Sequence, residues 1–160
     1  MAYRMGGALL PMALVLGHPA LAQPEAAFDF VEYEARDNTP PAPEGYYRNP
    51  VLPGFHPDPS IVKVGDDFYA VNSTFSWFPG LPILHSRDLV NWTLIGNAID
   101  RADQLDFSGL GTNRGLFAPA ITHHDGKFWI VNTCIECGDN FVITADRPEG
   151  PWSDPKWLEF

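Results

Sequence analysis

The sequence predicts an all-β protein built from propeller blades, and three observations carry that expectation. Short runs of β-branched and aromatic residues alternate with Gly, Asp and Pro punctuation from Arg48 onward. No stretch shows a 3.6-residue apolar stripe, so no helix is predicted. The globular part also repeats with an offset of 60: Phe68 meets Phe128, Tyr69 meets Trp129, Val71-Asn72 meets Val131-Asn132, Ile83 meets Ile143 and Trp92 meets Trp152. A four-stranded unit recurring every several tens of residues is the mark of a propeller blade.

The first unit is expected to hold strands at Ser60–Val64, Phe68–Thr74, Pro82–Ser86 and Trp92–Ile95. The second is expected to hold them at Ala120–His123, Lys127–Thr133, Phe141–Ala145 and Lys156–Phe160. Gly65-Asp66-Asp67 and His124-Asp125-Gly126 read as the hairpin turns, since Gly and Asp tolerate the positive φ such turns need. The tryptophan late in each unit, Trp92 or Trp152, is expected to pack between neighbouring blades. Asn49–Phe160 spans less than two repeats of 60, whereas propellers close with about four to eight blades. The expectation is therefore an incomplete ring.

Met1–Ala22 reads as a secretory signal. Arg4 supplies the basic start, Ala8–Leu16 is apolar apart from Pro11, and Ala20-Leu21-Ala22 is a small-x-small cleavage site. The run is too short to span a bilayer, so a membrane anchor is not expected. The location implied is secreted or periplasmic. Residues 23–48 follow as a Pro- and acid-rich linker, with Pro40-Pro41 and Pro43 favouring extended backbone. The net charge of −10 argues against nucleic acid and anionic membranes as partners and leaves a neutral substrate open. Cys134 and Cys137 form a C-x-x-C pair that reads equally as a local disulfide or as two free thiols in a loop. They lack the further ligands a zinc site needs.

The densest signal is Asn49–Ser60, which contains Pro57-Asp58-Pro59. Pro59 is expected to push Asp58 into an extended conformation, and Pro57 fixes its own φ. A carboxylate on stiff backbone suits a general base, which must hold a water in one attack geometry. The same dipeptide is also common in plain turns.

Four segments then resemble glycoside hydrolase family 43, in family order. They are Asn49–Ile61, Ser73-Thr74-Phe75-Ser76-Trp77-Phe78-Pro79-Gly80, His85-Ser86-Arg87-Asp88-Leu89-Val90-Asn91-Trp92 and Gly115-Leu116-Phe117-Ala118-Pro119. The resemblance implies a five-bladed β-propeller, of which this chain holds about the first two blades. It implies inverting hydrolysis by β-xylosidases or α-L-arabinofuranosidases, with a base Asp, a tuning Asp and an acid Glu around the axis. Asp58 matches the base. The other two carboxylates are expected beyond Phe160, so this chain alone is expected to be inactive. Glu136, Asp139 and Asp146 match no family motif and read as loop carboxylates.

By the same resemblance Phe75 lines the sugar pocket, with core packing as its alternative, and Trp77 is core or pocket rim. Phe117 and Ala118 are substrate-binding candidates. Ala118 is the offset-60 partner of Asp58, so the corner that carries the base in one unit carries Phe117-Ala118 in the next. Phe117 stands where relatives often have Trp. Ala120 stands where some carry a polar or acidic residue, which leaves the sugar open between xylose and arabinofuranose. His56 beside Asp58 reads either as a pocket-lining side chain or, by preference, as a neutral surface histidine. No cofactor is required and no metal ligand is identified. A structural calcium occurs in some relatives, but no residue here is assigned to it. The partner implied is a pentose-containing oligosaccharide or polysaccharide. The competing readings are a carbohydrate-binding propeller without catalysis and a fragment without function.

Overall fold

The computed structural model describes residues 40–159; the segment read as a secretory signal and the first part of the expected linker lie outside them. The described residues contain eight β-strands and no helix. Strands β1 (Ser60–Val64), β2 (Asp67–Val71), β3 (Gly80–Ser86) and β4 (Thr93–Ile99) form one antiparallel sheet in that order. Strands β5 (Gly115–His124), β6 (Lys127–Ile135), β7 (Asp139–Ala145) and β8 (Lys156–Trp157) form a second one.

The repeat is exact in register across the first hairpin of each sheet. Ser60 lies opposite Val71 and Val64 opposite Asp67; Ala120 lies opposite Val131 and His124 opposite Lys127. The turns are shorter than expected, because Asp67 and His124 belong to strands. Gly65-Asp66 closes one hairpin and Asp125-Gly126 the other. Asp125 and Gly126 both have positive φ, as the tightest two-residue hairpin turn requires. In the third strands the repeat slips by one residue. Ala70 faces Leu84, and its counterpart Ile130 faces Ile143. Ile143 thus answers to Leu84, not to Ile83 as the ungapped alignment had it.

The strand limits also differ from those expected. Strand β2 stops at Val71, and Asn72–Thr74 leaves the sheet. Strand β3 begins at Gly80, β4 runs from Thr93 on to Ile99, and β5 begins at Gly115. In each case a Gly or Pro that reads as a stop sits inside a strand, which edges and bulges permit. A bulge between Phe117 and Ala120 accommodates Pro119.

The sheets pack face to face on a core that includes Val71, Ile83, Ile130, Phe141, Ile143 and Trp152. Tyr69 meets the edge of Phe128 across the seam, with ring centroids 5.1 Å apart. Trp152 is only 3% exposed, as expected of an inter-blade aromatic. Its carbonyl accepts from Arg101, and Gln104 reaches both Ala98 O and Ser153 O, so the turn after β4 latches the second sheet. Trp92 is only half-buried and borders a shallow cavity on the far side of the first sheet with Ile61, Leu84 and Pro50.

Candidate active site

Asp58 precedes β1 with φ near 50°, in the left-handed region rather than the extended one expected from Pro59. Long-range hydrogen bonds override the local preference. The Ser73 N–H donates to Pro57 O at 3.0 Å, and the Ser73 hydroxyl donates to Asp58 Oδ2 at 2.7 Å. A non-glycine residue held in this region costs on the order of 1–3 kcal/mol, and such strain clusters at functional sites. Asp58 is exposed, so its carboxylate is open to solvent while one oxygen is held.

The same corner occurs in the second sheet. Ala118 has φ near 43° and is followed by Pro119 as Asp58 is by Pro59. The two corners are joined, because Ala118 N–H donates to the Ser73 hydroxyl oxygen at 2.7 Å. Between them runs a strap formed by Ser73–Ser76. Phe75 and Leu116 exchange two backbone hydrogen bonds of 3.0 Å each, so the strap leaves the first sheet and pairs with β5 of the second. Gly115 makes that approach feasible. Its φ is 95°, and a Cβ there would stand 2.6 Å from the Phe75 carbonyl carbon.

The strap and the residue after it present Phe75 and Trp77 to a cavity of about 680 Å³, whose wall also includes Phe55, His56, Ser73 and Asn113. Phe75 is half-buried, with φ near 54°. It packs edge-on against Phe117 at 4.6 Å and tilted against Phe55 at 5.8 Å. Trp77 is 68% exposed, which places it on the rim and not in the core. Asp58 is not itself on the wall, but its hydrogen-bond partner Ser73 is. Phe117 stands behind Phe75, and Ala118 is exposed at the second corner. Asp58, Phe75, Phe117 and Ala118 are therefore brought into one neighbourhood.

Sequence reasoning preferred a surface position for His56 over a place in the pocket. It is half-buried on the cavity wall, with Nδ1 3.4 Å from Asn72 Oδ1. Ser73 and Asn72 were missed as site residues, although Ser73 opens one of the quoted motifs and Asn72 belongs to the repeat. Asn72 Nδ2 donates to Ser73 O at 2.9 Å. Its counterpart Asn132 donates to Phe117 O at 2.7 Å, but its buried Oδ1 has no partner, because Leu116 stands where the repeat would place His56.

The other carboxylates are engaged elsewhere. Glu136 pairs with Arg114 at 2.6 Å, Asp146 pairs with Lys127 at 2.8 Å, and Asp139 accepts from the neighbouring Asn140 side chain. Cys134 and Cys137 form a disulfide. Cys134 is more than loop chemistry, since it lies within β6 and belongs to the core. Among the described residues no three His, Cys, Asp or Glu side chains converge to hold a metal ion.

The profile described as Glycosyl hydrolases family 43 matches residues 47–160. The chain belongs to that family. The family 43 chain is 51% identical over 118 residues to a protein of a Vibrio species named Xylan 1,3-beta-xylosidase, matching 68% of this chain and 22% of that one. It is 47% identical over 116 residues to a Bacteroides ovatus protein named a non-reducing end alpha-L-arabinofuranosidase, covering 70% and 22%. Among solved structures, a xylan beta-1,4-xylosidase from Bacillus halodurans aligns with a TM-score of 0.65 at 47% identity, covering 69% of this chain and 22% of that one. The chain thus spans only about a fifth of the length of the relatives it matches.

Proposed function

We propose that this family 43 chain carries the general base and part of the sugar pocket of an inverting, secreted or periplasmic glycosidase. The enzyme would cleave xylosidic or arabinofuranosidic bonds in hemicellulose oligosaccharides. Asp58 takes a proton from water as that water attacks the anomeric carbon. A carboxylic acid supplied outside this chain protonates the leaving oxygen on the opposite face. Inverting geometry sets the two carboxyls roughly 6.5–9.5 Å apart, which leaves room for the water. The observation that carries this reading is the held but exposed Asp58, one oxygen fixed by Ser73 at 2.7 Å beside an aromatic cavity. Phe75 and Trp77 offer ring faces to the apolar side of a sugar, and the relatives named above are xylosidases and an arabinofuranosidase.

The scaffold fits a five-bladed ring. Two four-stranded sheets pack face to face, and their outward faces remain apolar at Ile61, Leu94, Val131 and Ile135. Such surfaces are what further blades would cover. The chemistry needs water and carboxyl groups only, so no cofactor enters it.

The test is Asp58→Asn in the full-length protein that contains this segment. The amide keeps the shape but accepts no proton from water. General-base assistance is worth ~10²–10⁴-fold, and an inverting enzyme has no covalent intermediate to fall back on. The expected result is a kcat lower by at least about a hundredfold, with unchanged affinity for a xylose- or arabinose-like inhibitor. Asp139→Asn should leave kcat near wild type. Equal, mild effects of the two substitutions would remove Asp58 from the chemistry.

A further inference from the structure

We propose that Ser73 is the positioning residue of the catalytic base, acting as a one-proton relay that ties the Asp58 corner to the Ala118 corner of the neighbouring sheet. The inference rests on the catalytic reading of Asp58. Ser73 is fully buried, and all its polar groups are committed. Its N–H donates to Pro57 O, its carbonyl accepts from Asn72 Nδ2, and its hydroxyl contacts both Ala118 N and Asp58 Oδ2 at 2.7 Å each.

The donor directions follow from chemistry without sight of a hydrogen. A backbone N–H can only donate, so Ala118 occupies a lone pair of the hydroxyl oxygen. An ionised carboxylate can only accept, so the single hydroxyl proton goes to Asp58 Oδ2. The rotor is thereby fixed, and the Ala118 amide polarises the hydroxyl into a stronger donor. One carboxylate oxygen is held, and the other is left to orient water.

This arrangement gives the second corner a purpose. Ala118 has no side-chain chemistry, yet its left-handed backbone aims an N–H at Ser73. The following residue, Pro119, has no N–H of its own, so Ala118 supplies the only backbone donor of that dipeptide. The base is thus oriented from two sheets at once, and its aim depends on how they dock.

The experiment is a double-mutant cycle in the full-length protein, using an aryl glycoside with a good leaving group so that slow variants remain measurable. Ser73→Ala should lower kcat about 10- to 100-fold, the range a misplaced catalytic group produces, with KM and inhibitor affinity within about twofold. Ser73→Thr, which keeps the hydroxyl, should recover most of the loss. If the added methyl group unfolds that variant, the cycle with Ser73→Ala decides alone. In an Asp58→Asn background Ser73→Ala should cost almost nothing further, because the carboxylate it aims is gone. A merely structural serine would instead lower activity by the same factor in both backgrounds, and that result overturns the proposal. So does Ser73→Ala activity within twofold of wild type. If Asp58→Asn is inactive while Ser73→Ala is normal, only the relay fails. If Asp58→Asn is itself active, the catalytic reading fails and takes the relay with it.

Discussion

The Asp58 and Ala118 corners are nearly the same piece of backbone with different side chains. Both have φ near 50° and both precede a proline; Asp58 leads into β1 and Ala118 sits at the bulge within β5, and the hairpins that follow share one register. One bears a carboxylate open to solvent. The other bears a methyl group and contributes only its amide, to Ser73. The repeat therefore builds the strained mount twice, and the proposed chemistry uses its side chain once. Strain of this kind persists only where the surroundings over-determine it, and here each corner is one of the constraints on the other.

The matched tryptophans offer the strongest way to break the symmetry. Trp152 is buried in the seam, while Trp92 is half-buried against the far side of the first sheet. Removing a large aromatic from a packed core costs about 3–5 kcal/mol. Trp152→Ala should destabilise the full-length protein by that full amount, as calorimetry would show. Trp92→Ala should cost as much only where a further blade covers its face, so a far smaller loss would leave that face open and count against the closed ring.

Gly115→Ala tests the strap. Left-handed strain alone costs an L-residue roughly 1–2 kcal/mol, and the new Cβ would also press on the Phe75 backbone. Relief requires the strap to move off β5, carrying Ser73 and Phe75 with it. We expect a destabilised protein whose affinity for a sugar-like inhibitor falls together with its Tm. Gly126→Ala is the control, since its φ is also positive but no atom lies within 4 Å of the added Cβ. It should pay the strain alone and keep the affinity.

Much of this was legible in the sequence, and the limits of that reading have local causes. Strand β1 and both hairpins could be read because β-branched and aromatic runs end at Gly-Asp or Asp-Gly turns. The ends of β2 and β5 could not. Asn72–Thr74 looks as extended as the residues before it, and only pairing between sheets, Phe75 with Leu116, shows where the chain departs. Asp58 was singled out by its flanking prolines together with the family resemblance, but its φ was misjudged, because Pro59 acts locally and Ser73 acts from 15 residues away. His56 and Ser73 lie inside quoted motifs, but nothing in their local sequence sets them apart from their neighbours. Their place beside Asp58 shows only in the fold.

The weakest distinction between the sheets is a reversal of charge. In the first sheet Asp67 opens β2 and pairs with Arg87 just past β3, at 2.9 Å. In the second, Lys127 opens β6 and pairs with Asp146 just past β7, at 2.8 Å. The position is conserved by the repeat and the sign is exchanged. Both carboxyls are held below the usual range, Asp67 by hydrogen bonds from His85 and then Arg87, Asp146 by Lys127. A carboxyl whose pKa is lowered on folding contributes stability above its unfolded value of about 4, and loses it as pH falls through the folded value. The Tm gap between wild type and Asp67→Asn should therefore be open near pH 7 and shrink progressively below about pH 4. Asp146→Asn should behave alike with a smaller gap, because Asp67 has two partners and Asp146 has one. Asp146 is solvent-exposed and Asp67 half-buried, so molar salt should narrow both gaps at neutral pH, that of Asp146 more completely. A gap that held constant down to pH 3 would show that these carboxylates do not stabilise the fold through their charge.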